Sequence, residues 1–444
     1  MTELLKSTLL RIAQSVPDYT AFPTVDEMAA RTRALEAERD PLVEIRRVGI
    51  SRDGEPIDLI SIGSGPRDAL VVGTPHPNEP IGCLTIEFLI DELRRNASLR
   101  ESLGYRWHFI KTIEPDGLRF NEGWLKRPLE PLAYFEHFFR PAAQEQAEYC
   151  FPMTVEGYSF NESTPENLAW QEAIRLTRPR LHYSTHNCEH GGAFYVISEA
   201  QPELAAELGR LTSAFDIPLD TVGESPDAPD EAYAPGVFPG FDIESLARSS
   251  PSDWNAGQSS FEHCQPLGTF GLIAEAPYWM EAPDAWIDEL PVMHSSITVF
   301  VRRWSGDVVR LVDHHLPDLE SSSWRGASRY IAALREMRGY ALARSQRAPI
   351  EGLVDASVAA VQWRSARFNL LRPIGMLLQL AAATATADPR NERARLAELA
   401  ARHYLDAALS EPRLIKGLKR VPLRQSVGLQ VLAGLTAACM LKGG

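Results

Sequence analysis

The segment from Asp68 to Arg95 constrains this chain more than any other. Asp68-Ala69-Leu70-Val71-Val72-Gly73-Thr74 is an apolar run of strand type, and Ile81 to Arg95 carries helical periodicity. A strand that feeds a helix through a short turn is a unit of a sheet with helices on its faces. The turn itself reads His76-Pro77-Asn78-Glu79. An imidazole and a carboxylate so placed can aim at one point above the strand. They would supply two of the three protein ligands that a catalytic zinc commonly takes. The spacing specifies little by itself, because a His three residues before a Glu arises often by chance.

Two later segments strengthen the reading. Arg180 to Cys188 reads as a buried strand with His186 at its carboxyl end, where open α/β sheets place their ligands. Phe270 to Trp279 is an apolar strand carrying one carboxylate, Glu275. A carboxylate there is costly unless it is paired, near a metal or protonated. The bland alternative is a sheet-edge residue reaching solvent, which the apolar neighbours on both sides oppose. His182, His190, His263 and Cys188 compete with His186 for the third ligand position. Strand-end placement favours His186, and leaves His182 as a core or supporting histidine on the same strand face.

Taken in order, His76 and Glu79, Glu114-Pro115-Asp116-Gly117, His186 and Glu275 resemble the pattern of the M14-type zinc carboxypeptidases, the funnelins. The upstream Gly49 to Ile57 looks like that family's leading hairpin, with Glu55 where an Arg is usual. The resemblance runs from about residue 20 to 310. It implies a mixed, mainly parallel sheet flanked by helices and one zinc ion per chain on His76, Glu79 and His186. It also implies hydrolysis of a peptide or amide bond, with Glu275 as general base and acid.

The same resemblance calls for cations. The family's oxyanion-binding Arg has no direct counterpart: aligning on Trp124 puts Leu125 there, with Lys126 or Arg127 as substitutes after a small register change. Arg140, after Phe138-Phe139, stands where the family clamps the substrate's terminal carboxylate, a task suited to a guanidinium. Tyr233, Trp254 and Tyr278 are candidates for an aromatic cover on the substrate. The stretch 250–265, with Asp253, Gln258 and Glu262, reads either as a polar specificity pocket or as a solvated loop.

At 444 residues the chain can bury a large core in more than one domain. Residues 1–43 read as two helices packing on a catalytic domain, the second capped by Thr24. The catalytic domain is expected over 44–310 and an all-helical carboxyl-terminal domain over 311–444. Residues 118–166 read as irregular structure around a cleft, and 216–265 as a long loop region. The formal net charge is −14. Residues 321–444 carry about nineteen basic and eight acidic side chains, about +11, leaving about −25 elsewhere. A helical tail docked on the acidic domain, or on a second copy of the chain, accounts for that split. An anionic partner is the sharper alternative.

The five cysteines are scattered without Cys-x-x-Cys spacing, which fits a reducing cytoplasm. No run reads as long enough for a membrane span. Val427 to Leu441, broken by Gln430 and two Gly, reads as a packed core helix. Neither nucleic acid nor membrane is expected as a partner. The expected substrate is a peptide or an amide-containing small molecule. A zinc amidase or deacylase on a non-peptide metabolite is the alternative, and a non-catalytic binding module on the same fold is the third.

Overall fold

Strand-forming segments recur from Val43 to Glu275 and assemble into one eight-stranded sheet. The computed structural model describes residues 1–223, 232–249, 255–281, 292–348, 352–354, 356–410 and 418–441. The strands are β1 (Val43–Ile50), β2 (Pro56–Ile62), β3 (Arg67–Val72), β4 (Tyr105–Ile110), β5 (Leu181–His186), β6 (Phe194–Ile197), β7 (Val237–Pro239) and β8 (Phe270–Glu275). Their order across the sheet is β1-β2-β4-β3-β5-β8-β6-β7. The central run β4-β3-β5-β8 is parallel throughout, as is β6 with β7. The pairs β1–β2, β2–β4 and β8–β6 are antiparallel. The sheet is therefore mixed and mainly parallel, as expected.

The central strands are apolar because both of their faces are covered. On β5 every residue is buried, and the side chains alternate between two layers. His182 faces Trp170 of the helix Pro165–Thr177, whose Ala169, Ala173 and Ile174 pack with Leu70, Val72 and Ile110. Tyr183 faces the other way, and its hydroxyl donates to the carbonyl of Gln430 on the helix Leu423–Met440. That approach is close: a Cβ on Gly434 would stand 2.8 Å from the Tyr183 ring.

The contacts divide the chain into two compact units. The first comprises Met1–Arg119, Ala143–Met280 and Val421–Gly444; the second comprises Phe120–Ala142 and Glu281–Arg420. This differs from the expected boundaries in three ways. The helical unit starts near 281 rather than 311, and it is an insertion rather than a tail, because Leu423–Met440 returns to the sheet unit. It also takes up 120–142, expected as irregular structure, where Trp124, Tyr134, Phe135 and Phe138 pack edge to face. Apolar composition shows that a helix must be buried. It does not show against what. The amino-terminal helices Glu3–Gln14 and Val25–Ala37 lie in the first unit, and Thr24 and Glu27 form a capping box on the second of them.

The second unit is built on the helices Pro131–Glu136, His294–Leu319, Ala327–Gln346, Ala356–Ala387 and Glu392–Leu409. Gln379 donates to the carbonyl of Phe138, and the Arg367 guanidinium lies 3.6 Å from the Trp304 ring centroid. Contrary to the sequence reading, Ser365–Ala387 is long and apolar enough to cross a membrane, with a mean hydropathy of 1.3. Most of it is buried inside the protein, as a core helix would be. The 216–265 region holds β7 and the short helices Ile243–Ser249 and Ser260–Cys264.

Candidate metal centre

The turn after β3 is tight, and the residues around it show why. Glu79 N–H donates to the His76 carbonyl at 2.9 Å, folding the two side chains toward one side. The helix Ile81–Arg95 then starts against β5: a Cβ on Gly82 would stand 2.0 Å from Thr185 Oγ1, so only glycine fits there. Tyr278 donates to the Asn78 carbonyl at 2.7 Å and braces the turn from behind. Asn187 accepts from Ile81 N–H and donates to the Ala276 carbonyl, tying the turn to the ends of β5 and β8.

His76, Glu79 and His186 meet at this point, all buried, with ligand atoms within 4.8 Å of one another. His186 Nδ1 lies 2.9 Å from Glu79 Oε2 and 3.7 Å from Glu275 Oε1. The His76 and His186 rings are 5.0 Å apart between centroids. Glu275 pairs with His186 in the β8–β5 register, which puts both residues at one level of the sheet. At 7% exposure Glu275 is not a sheet-edge residue reaching solvent.

Two imidazoles and one carboxylate are the donor types of a zinc site with an open position. The other nitrogen of His186 is also engaged: Nε2 lies 3.1 Å from Ser184 Oγ, which lies 3.4 Å from Glu148 Oε2. Glu148 is held in turn by Ser260, whose hydroxyl donates at 2.6 Å and whose N–H donates at 3.3 Å. Burial raises the Glu148 carboxyl above its usual range, while nearby His186 and the bonds from Ser260 and Ser184 lower it. Metal-binding histidines are commonly oriented by such a hydrogen-bonded partner on the second nitrogen. The residues therefore fit zinc.

The rivals for the third ligand position separate clearly. His182 accepts a hydrogen bond from Trp170 Nε1 at 3.1 Å, and burial, with His186 and His263 adding to it, pushes it down to about 3. It is a neutral core histidine. His263 stacks on Phe151 at 4.6 Å between ring centroids, and Cys188 donates to the Gly192 carbonyl. His190 forms a bridge with Trp279 beyond the strand end.

The substrate candidates fare unevenly. Tyr278 is buried and committed to Asn78, so it supports the ligand turn instead of covering a substrate. Tyr233 is exposed on a turn whose N–H donates to Val237. Trp254 and Asp253 lie outside the described residues. Lys126 and Arg127 are exposed after the helix Pro115–Leu125, and Arg140 is half-buried; all three belong to the second unit. Glu262 caps the helix Ser260–Cys264 through Ser259 and accepts from the N–H groups of Ile243 and Glu244, so it has a structural task. Gln258 likewise bonds to Glu244.

The Pro-Asp-Gly segment is also structural. Asp116 accepts from Ser51 Oγ at 2.6 Å and from Asp53 N–H at 2.8 Å, fixing the β1–β2 hairpin. Glu55, where the resemblance led to an Arg, pairs with Arg119 at 2.7 Å. Sequence reasoning missed Glu148, Ser184, Ser260 and Gln430. Only Gln430 had a signal, as a break in an apolar helix.

No family model matches the chain. Carboxypeptidase B of Astacus astacus is 25% identical over 108 residues, which make up 23% of this chain and 36% of that protein. The match thus spans about a third of the length of that relative. Among solved structures, carboxypeptidase A from Helicoverpa armigera has a TM-score of 0.41 at 13% identity, covering 62% of this chain and 71% of that one. The metallo-carboxypeptidase from Burkholderia cenocepacia has a TM-score of 0.35 at 17% identity, covering 57% and 60%. The chain is similar to metallocarboxypeptidases.

Proposed function

We propose that this chain is a zinc-dependent hydrolase that cleaves a peptide or amide bond next to a free carboxylate. One observation carries the reading: three buried donors, His76, Glu79 and His186, converge with Glu275 at the carboxyl ends of adjacent parallel strands. When bound, zinc supplies a Lewis acid for the scissile carbonyl and acidifies the attacking water. Glu275 Oε1, 3.7 Å from His186 Nδ1, would accept a proton from the attacking water and deliver it to the leaving amine. His76, Glu79 and His186 would hold the metal, and the Ser184–Glu148 link keeps the His186 ring oriented. Arg140 is the proposed carboxylate clamp, a role that rests on the sequence resemblance alone.

The test has two parts. Metal analysis of the purified chain should give one zinc per chain. Turnover of N-acyl dipeptides should then exceed turnover of the same compounds with the carboxylate capped as an amide. Zinc-dependent turnover that ignores the cap would favour the amidase reading. A chain that takes up no zinc would overturn both.

A further inference from the structure

The helix Leu423–Met440 is buried almost all round, yet its middle carries an amide. Gln430 is 0% exposed, and a buried amide is costly unless it is hydrogen-bonded. All of its partners belong to elements that build the candidate metal centre. Nε2 donates to the His186 carbonyl at 2.7 Å and to the Ala274 carbonyl at 3.2 Å. Oε1 accepts from Thr85 Oγ1 at 2.8 Å. The Gln430 carbonyl accepts from Tyr183.

These partners fix the amide's orientation. The His186 and Ala274 carbonyls can only accept, so the nitrogen must face them. The Thr85 hydroxyl is then left to donate to the oxygen. One side chain thereby joins the carbonyl of a metal ligand, the carbonyl preceding Glu275 and the helix that follows His76 and Glu79. It does so at the last register pair of the two strands, Glu275–His186, where the His186 carbonyl also accepts from Ala276 N–H at 3.3 Å.

We infer that Gln430 is a positioning residue for the hydrolase proposed above: it sets the spacing between the His186 and Glu275 ends of β5 and β8, and so tunes both metal affinity and proton transfer. The inference rests on that functional reading. It goes beyond it by giving the last helix of the sheet unit a role in the chemistry as well as in the core.

The experiment uses the full chain. Gln430→Met keeps the volume of the side chain and removes the amide. Thr85→Val keeps the amide but removes its orienting donor. Leu432→Ala, on the same helix, serves as a destabilised control. Zinc affinity is read by competition with a chromophoric chelator, kcat and KM on an N-acyl dipeptide, and folding by circular dichroism.

Gln430→Met should weaken zinc binding about 10-fold, the low end for groups that orient metal ligands. Its kcat should fall with KM little changed. Thr85→Val should move both quantities the same way by less. Leu432→Ala should lower the melting temperature and leave both unchanged. If Gln430→Met does not fold, Thr85→Val decides alone. Wild-type zinc affinity and kcat in the folded amide variants would overturn the inference and leave the functional reading standing. An equal loss in Leu432→Ala would also overturn it, since loose packing would then explain the effect. A wild type that takes up no zinc would overturn the functional reading and this inference with it.

Discussion

Deleting 421–444 should unfold the sheet unit, although the segment lies at the far end of the chain from the strands. The helix Leu423–Met440 contributes Leu423, Val427, Leu429, Val431, Leu432 and Leu435 to the core, none more than 5% exposed. Each such side chain gains about 1.5–3 kcal/mol on burial, so the six together contribute roughly 9–18 kcal/mol. Residual burial in the unfolded chain removes about 10–40% of that. What remains is comparable to the whole net stability of a domain, about 5–15 kcal/mol. The deletion also strips a partner from Tyr183 and from the His186 carbonyl. A chain ending at Arg420 should therefore bind a hydrophobic dye, scatter light as aggregate, lose near-ultraviolet circular dichroism and fail to retain zinc. A monodisperse product with native near-ultraviolet dichroism and one bound zinc would refute the argument. In that case the helix would be dispensable packing.

Three other outcomes follow from the site. Glu275→Gln should keep zinc and fold while kcat falls about 10²–10⁴-fold, as expected for a lost general base; near wild-type turnover would remove Glu275 from the chemistry. Ser184→Ala should raise the zinc dissociation constant about 10-fold in chelator competition, because His186 Nε2 loses its link to Glu148; an unchanged constant would show that the link orients nothing. Burial lowers His182 to about 3, whereas the unfolded chain takes up a proton below about 6.5, so stability should drop as the pH falls from about 6.5 towards 3. His182→Gln, which keeps an acceptor for Trp170, should flatten that acid limb in denaturant titrations, and an unaltered limb would assign it to other groups.

The residues that meet at the candidate metal centre were legible because each sits at a place that local pattern defines. His76 and Glu79 occupy a strand-to-helix turn, His186 ends a strand, and Glu275 interrupts an apolar run. The choice of His186 over His182 needed only the strand's period and its end, and the Trp170–His182 bond gives the physical reason. The groups around the ligands left no such trace. Glu148 lies in a 3₁₀ turn, where no period announces burial, and Ser184 and Ser260 are residue types common everywhere. Tyr278 reads from the sequence as a substrate contact because aromatics near a site suit that role, but its hydroxyl is committed to the turn that carries His76 and Glu79.

The domain boundary failed for a different reason, and the failure bears on function. Apolar content predicts that Val427 to Leu441 must be buried, and it is. Composition carries no address, so the sequence could not say that the chain returns, after the helical insertion, to the sheet unit. Only long-range pairing does: Thr85 with Gln430, 345 residues apart, and His186 with Gln430, 244 apart. Closing such a loop has an entropic cost that grows only slowly with its length, so an insertion of this size is tolerated as long as its ends lie close together on the parent unit. Here they do: Val421 N–H donates to the Tyr278 carbonyl, beside the point where the chain leaves the sheet unit. The carboxyl-terminal helix can therefore serve the metal centre while the insertion between it and β8 varies in length or sequence. It follows that changes within 292–410 should alter the second unit's own stability before they alter zinc affinity, whereas a change at Gln430 should do the reverse.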